Sequence, residues 1–227
     1  MQDLARRRPA WCRAYFNRGG QMSRLDDRPV SIFWDNSNVY VPAIDVARER
    51  EGAIVGGALR IQFDKLYELA RAGRQVIGGY CVGTTSFRNH QLEARLSAVG
   101  VDIEFFERGR DSGGEQAVDQ ALQVHMLRSL VDLSPGVAVL LTGDGAGAGS
   151  GRGYLSDLQR MYRGGWNVEV ISWSAACHRG LRAWAEENGH FVALDDYYES
   201  VTFLEHLRFA KPLARVSRPF RPAGTPP

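Results

Sequence analysis

Short, almost wholly apolar runs alternate along the chain with longer stretches in which apolar residues recur every three or four positions. Val30–Trp34 is such a run and predicts a strand. Phe63–Ala72 places Phe63, Leu66, Leu69 and Ala70 at helical spacing, and Gly73 closes it. Gln75–Val82 predicts a strand, Phe87–Val99 a helix ending at Gly100, and Val101–Phe106 a strand. Gln116–Leu133 is the longest periodic segment, with Val118, Leu122, Met126 and Leu130 on one face. Val137–Thr142 predicts a buried strand, Leu155–Arg163 a helix stopped by Gly164-Gly165, Val168–Trp173 a strand, Arg179–Glu187 a helix and His190–Leu194 a last strand. Strands that are apolar throughout and separated by helices predict an α/β fold, a three-layer α/β/α arrangement round a mostly parallel, Rossmann-like central sheet. Right-handed crossovers then bring every strand's carboxyl end to one edge, where ligands bind at the point of strand-order reversal.

Three acids fall at that edge. The first strand ends abruptly in Asp35-Asn36-Ser37-Asn38, and Asp144 follows the run "VAVLLTG". Asp119 lies in the first turns of the long helix, with Glu115 four residues before it on the same face. Carboxylates that converge repel one another unless a cation neutralises them, and Mg²⁺ or Mn²⁺ accepts an all-oxygen donor set. A metal held in this way lowers the pKa of bound water and steadies charge on a phosphoryl group, so the constellation suits phosphodiester hydrolysis. Each acid also has a purely structural reading. Asp35 with Asn36 and Ser37 can form an Asx-turn or a helix N-cap. Asp119 and Glu115 can answer the helix dipole, and Asp144 can serve a turn.

Bulk properties narrow the picture only slightly. A chain of 227 residues with 44% hydrophobic and 24% charged residues fits one globular domain. The formal net charge of +2 is too small to imply nucleic acid on its own. The cations are nearly all arginine, with Lys65 and Lys211 the two lysines, which suits bidentate phosphate recognition but also follows from genome composition. Cys12, Cys81 and Cys177 are too scattered for a disulfide scaffold or zinc ribbon, and no apolar run is long enough to cross a bilayer. A soluble, cytoplasmic protein is expected, with no membrane partner and homo-oligomerisation left open. Residues 1–27 are expected to be a basic, poorly ordered extension, in which Met22 is a second candidate start, and residues 28–207 the domain. Residues 208–227 are expected to be a Pro/Arg-rich tail, disordered or loosely docked.

In the order of its motifs the chain resembles the NYN domains, a branch of the PIN-like ribonuclease superfamily. The apolar strand ending in Asp with Asn close behind is "FWDNSN"; the helix motif is "EQAVDQAL"; the strand ending in Ser/Thr-Gly-Asp is "LLTGDG"; a helix and "GWNVEVISW" follow. The resemblance spans about residues 30–205 and implies metal-dependent RNA cleavage on a PIN-like fold. Carried over by position, Asp35, Asp119 and Asp144 are the catalytic, metal-binding acids, with Asn38 in support. Many relatives read Gly-Asp-x-Asp-Phe at the third motif, whereas Asp144 here is followed by Gly145-Ala146 and a glycine-rich insertion through Gly153. Skipping the insertion aligns Gly153-Tyr154 with Asp-Phe, and the fourth acid is missing; Asp157, one turn into the helix, is the candidate substitute. Gln116 stands where lysine is frequent, and His125, where a further Asp is sometimes found, reads as a helix-face residue.

The reading adopted is a metal-dependent ribonuclease with Asp35, Asp119 and Asp144 as catalytic acids. Asn38, Asp157 and Glu115 support them, Mg²⁺ or Mn²⁺ is the cofactor and RNA the partner. Arg108, Arg110 and Arg152 are candidates to guide the RNA backbone. The main rival is an RNA-binding module with weak or lost catalysis, drawing affinity from Lys211, Arg215, Arg218 and Arg221 and stacking from Trp166, Trp173 and Trp184, although such tryptophans are more often core. A nucleotide-binding Rossmann-like protein, read from Gly143-x-Gly145-x-x-Ala148, lacks the acidic residue that ribose binding wants. An aspartyl phosphatase would want a second Asp where Ser37 stands.

Overall fold

The strand Val30–Asp35 (β1) is buried at all six positions, because it has a strand on each side and helices on both faces. The computed structural model describes residues 15–16, 22–23, 26–85, 90–107, 113–144 and 153–221. After β1 come α1 (Asn36–Glu51), a short β2 (Leu59–Ile61), α2 (Phe63–Arg71), β3 (Val76–Thr84), α3 (His90–Ala98), β4 (Asp102–Phe106) and α4 (Gly113–Asp132). The second half runs β5 (Val137–Leu141), α5 (Gly153–Arg163), β6 (Asn167–Ser172), α6 (Arg179–Asn188), β7 (His190–Ala193), α7 (Tyr198–Val201) and β8 (Thr202–Leu204). The central sheet has the order β4-β3-β1-β5-β6-β7 and every pairing in it is parallel. β2 and β8 form a separate antiparallel ribbon. The expected three-layer α/β/α architecture is the one observed.

Strand alternation divides the core. Val30, Ile32 and Trp34 of β1 face a cluster shared with α1, α2 and α7, while Phe33 faces a cluster shared with α4, α5 and α6. Asp35 is two residues from Phe33 and therefore projects toward α4 and α5. The chain builds β1, β3 and β4 outward in one direction and β5, β6 and β7 in the other, so the order reverses between β1 and β5. Trp34 pairs with Leu141 there, and Asp144 lies three residues beyond. Gly143 carries the chain past α6: a Cβ at that position would sit 2.6 Å from the Ala176 carbonyl oxygen, and its own carbonyl accepts the His178 N–H at 2.8 Å. Trp166 and Trp173 are core residues, the latter donating its indole N–H to the Val39 carbonyl at 2.8 Å, and the half-buried Trp184 packs edge-on against Tyr162.

Three departures from the sequence reading have physical causes. The helix α1 was not expected, because its polar start reads as a turn and Pro42 lies inside it. It forms because Val39, Ala43, Val46 and Ala47 make a buried stripe and Asp35 caps it. α4 begins three residues before the expected Gln116, and α5 two before the expected Leu155, which brings Tyr154 into its first turn. Residues 208–221 are docked instead of loose. Arg208 pairs with Glu51 at 2.8 Å, and Arg218 is buried with its Nε 2.9 Å from Glu169. Arg221 donates to the carbonyls of Glu186, Glu187 and Gly189 at the end of α6. Glu169 also holds Arg74 through two bonds of 2.7 and 2.8 Å. Burial alone would raise the Glu169 carboxyl, but Arg218 and Arg74 outweigh it and hold it below its ordinary range. Of the extension over 1–27, Tyr15–Phe16 pairs antiparallel with Met22–Ser23, and Asp26 is buried against Arg28.

Candidate functional site

Asp35 is the last residue of β1 and the N-cap of α1 at once. Its Oδ1 accepts the Asn38 backbone N–H at 3.1 Å, and its Oδ2 accepts the Asn38 side-chain amide at 2.6 Å. One residue therefore both starts the helix and has its carboxylate plane fixed by a neighbour three positions on. The side chain is almost fully enclosed, with 1% of the residue exposed. Burial pushes its carboxyl up to about 6, against the two bonds from Asn38, and Asp119 adds to the rise.

Asp119 reaches the same place from α4. The stripe Val118, Leu122 and Met126 packs α4 on the sheet, and the position next to Val118 turns toward the end of β1. Tyr154, in the first turn of α5, links the two acids. Its ring is buried in the cluster with Phe33 and Leu122, and its hydroxyl donates to Asp119 Oδ1 at 2.9 Å while standing 3.4 Å from Asp35 Oδ2. Burial, followed by the charges of Asp35 and Asp119, holds the phenol well above its ordinary value, and the Asp144 charge adds to the same effect. Asp144, half-buried beyond β5, has its backbone N–H on Thr142 Oγ1 at 3.2 Å. Asp35 and Asp119 thus meet on one hydroxyl, and the field of Asp144 reaches it.

The other candidates are placed differently. Asn38 supports Asp35 directly. Asp157 is buried one turn along α5, and its carboxylate is engaged by Arg160 at 2.6 Å; burial pushes it up in spite of that partner. Glu115 falls within α4 with its side chain outside the described residues, and Arg108, Arg110 and Arg152 lie outside them, as does most of the glycine-rich insertion. His125 is engaged elsewhere: its Nε2 is 2.8 Å from Glu104, and its ring stacks on Tyr80 with the centroids 4.3 Å apart. A cavity of about 400 Å³ between α3 and β4, lined by Glu93, Ser97 and Asp102 among others, is remote from the acids and takes no part in the site.

The model of the NYN domain family matches residues 29–193. The chain belongs to the NYN family. The match begins just before β1 and ends on the last residue of β7, so it covers the whole central sheet and all three acids. The PIN-like, nuclease-type fold of NYN domains is the architecture observed. No curated protein matches the chain.

Does the NYN site fit a divalent metal? Its donors are carboxylate oxygens with an amide and a phenol beside them, the kind a hard cation takes. The buried Asp35, raised by enclosure and by Asp119, is a group whose ionised form a cation would favour. As arranged here, no three His, Cys, Asp or Glu side chains among the described residues are grouped closely enough to hold an ion. The fit is thus one of donor chemistry, with Tyr154 standing between two of the acids. Tyr154 is the site residue that sequence reasoning missed. The available signal was its alignment with the relatives' Asp-Phe, read then only as a lost carboxylate.

Proposed function

We propose that this NYN domain is a metal-dependent ribonuclease that hydrolyses RNA phosphodiester bonds at the carboxyl edge of its sheet. The observation that carries the reading is the meeting of Asp35 and Asp119 on one buried hydroxyl at the strand-order reversal, within the field of Asp144. Mg²⁺ or Mn²⁺, when bound, supplies the positive charge that makes coordinated water acidic and steadies phosphoryl oxygens. The protein's part is to present Asp35 at the end of β1, Asp119 on α4 and Asp144 beyond β5 as oxygen donors. Asn38 keeps the Asp35 carboxylate in one orientation, and the closed edge between β1 and β5 shields it from bulk water.

The rival binding module loses part of its support. Three of the four tail cations it relied on are engaged within the fold, Arg218 on Glu169, Arg221 on the end of α6 and Lys211 on Glu199 at 2.6 Å, while Arg215 is exposed. The deciding experiment is cleavage of single-stranded RNA with Mn²⁺, Mg²⁺ or EDTA by the wild type, Asp35→Asn and Asp144→Asn. Cleavage should require metal and vanish in both variants. Cleavage that survives EDTA, or both substitutions, refutes the proposal; RNA retained without cleavage in any metal favours the binding module.

A further inference from the structure

We infer that the Tyr154 hydroxyl competes with the cation for Asp35 and Asp119, so that this residue sets the metal affinity of the acid cluster. The inference rests on the metal reading proposed above and adds to it a residue that weakens binding.

A carboxylate offers about four lone-pair positions. Asp35 uses one of them for the Asn38 backbone N–H, one for the Asn38 amide and one for Tyr154. The first two belong to the N-cap of α1 and are held by the helix itself. The Tyr154 contact, at 3.4 Å, is the longest of the three and can be given up without unwinding anything. The same hydroxyl has a single proton, and the 2.9 Å bond to Asp119 takes most of it. A dipole is therefore shared between two carboxylates that would be among the donors to a divalent ion, so hydroxyl and ion would draw on the same oxygen donors. The absence of any three-acid grouping among the described residues agrees with that arrangement. The ring cannot swing aside, because it is packed in the core with Phe33, Val118 and Leu158. For an ion to bind, either Asp119, which is only partly buried, must rotate off the hydroxyl, or α5 must shift.

Tyr154→Phe separates the oxygen from the packing. It keeps the buried ring and deletes only the competing dipole that Asp35 and Asp119 share. That change favours a cation. Hydrogen bonds to charged groups are worth about tenfold or more in an equilibrium constant, so the variant should bind Mn²⁺ roughly tenfold more tightly than the wild type. The test is calorimetric titration of Mn²⁺ into the full chain for the wild type, Tyr154→Phe and Asp119→Asn, with thermal melts in EDTA to verify folding. Tighter binding by Tyr154→Phe, with loss of binding in Asp119→Asn, supports the competition. Binding by Tyr154→Phe that equals or falls below a measurable wild-type affinity overturns it and leaves the metal reading standing. Failure of both wild type and Tyr154→Phe to bind Mn²⁺ overturns both ideas. Tighter Mn²⁺ binding without RNA cleavage sinks only the ribonuclease.

Discussion

Replacing Asp35 by asparagine should make the protein more stable at neutral pH in the absence of metal, and the size of the gain should depend on pH in a defined way. Burial pushes the carboxyl up from its ordinary 3.8 to about 6. At 1.36 kcal/mol per unit this is about 3 kcal/mol. The sign follows from proton linkage. The folded state holds this proton more tightly than the unfolded chain, so the contribution is fully present below pH 3.8 and is lost as the pH rises through about 6. Asparagine has no such proton, yet serves equally well as an N-cap, so α1 keeps its start. Its amide can still bond Asn38 if that side chain rotates by half a turn, at a pH-independent cost of about 1 kcal/mol. Glu169 works in the opposite sense: its depressed carboxyl contributes stability above its ordinary 4.5 that is lost on acidification. That contribution is common to both proteins and cancels in their difference. Urea unfolding of wild type and Asp35→Asn in EDTA, from about pH 4 to about pH 8, should show the variant gaining about 2–3 kcal/mol relative to wild type across the window, part of the effect being already spent at pH 4. A difference that stays flat, or that shrinks as the pH rises, would refute the reasoning.

Two further substitutions probe what holds the site in place. Arg218→Ala removes one of the two guanidinium partners of the fully buried Glu169 and the bond to the Leu69 carbonyl, and should cost about 3 kcal/mol in urea unfolding. Gly143→Ala drives a Cβ to 2.6 Å from a backbone oxygen that cannot rotate away; it should cost about 1–3 kcal/mol in thermal or urea unfolding, and, by displacing Asp144, should reduce RNA cleavage even well below the melting temperature.

The fold was legible because its strands are buried on both faces. Val137–Leu141 is apolar at every position and Val30–Trp34 at all but Ser31, and a run of that kind closed by a polar turn has few alternatives. That Asp35 and Asp144 fall at one edge was legible for a related reason, since a parallel sheet sends every strand's end there; the contact of Asp35 and Asp119 through Tyr154 did not follow from strand direction. α1 was less so, since Pro42 and the polar start mask a stripe of small residues (Val39, Ala43, Val46, Ala47) that yields little amphipathic contrast. The docking of residues 208–221 was opaque because it depends on a buried charge in β6. A glutamate inside an apolar strand can be tolerated only if distant cations reach it, and nothing local to "NVEVIS" says that one comes from Arg74 and another from Arg218. Tyr154 was missed because phenols are not usually counted among metal-site groups and its helix starts two residues earlier than the glycines suggest.

At Asp35 the observed helix cap does not exclude the chemical site read from "FWDNSN". Capping α1 uses the carboxylate as an acceptor and fixes its plane; it leaves the charge uncompensated, because backbone and amide donors supply only dipoles. Enclosure by the sheet and by Tyr154 then makes that charge unfavourable, and Asp119 makes it more so. The cap thus positions a group whose electrostatic need it cannot meet. A lysine or arginine at that edge could meet it permanently, as Arg74 and Arg218 do for Glu169 at another point in the same sheet. At the β1–β5 edge the hydrogen bonds described for Asp35 come from an amide, a peptide N–H and a phenol, all neutral. Among the described residues, one buried acid in this sheet has guanidinium partners and the other has only neutral donors. The Asp35→Asn stability profile, set beside the loss on Arg218→Ala, measures that contrast within a single sheet.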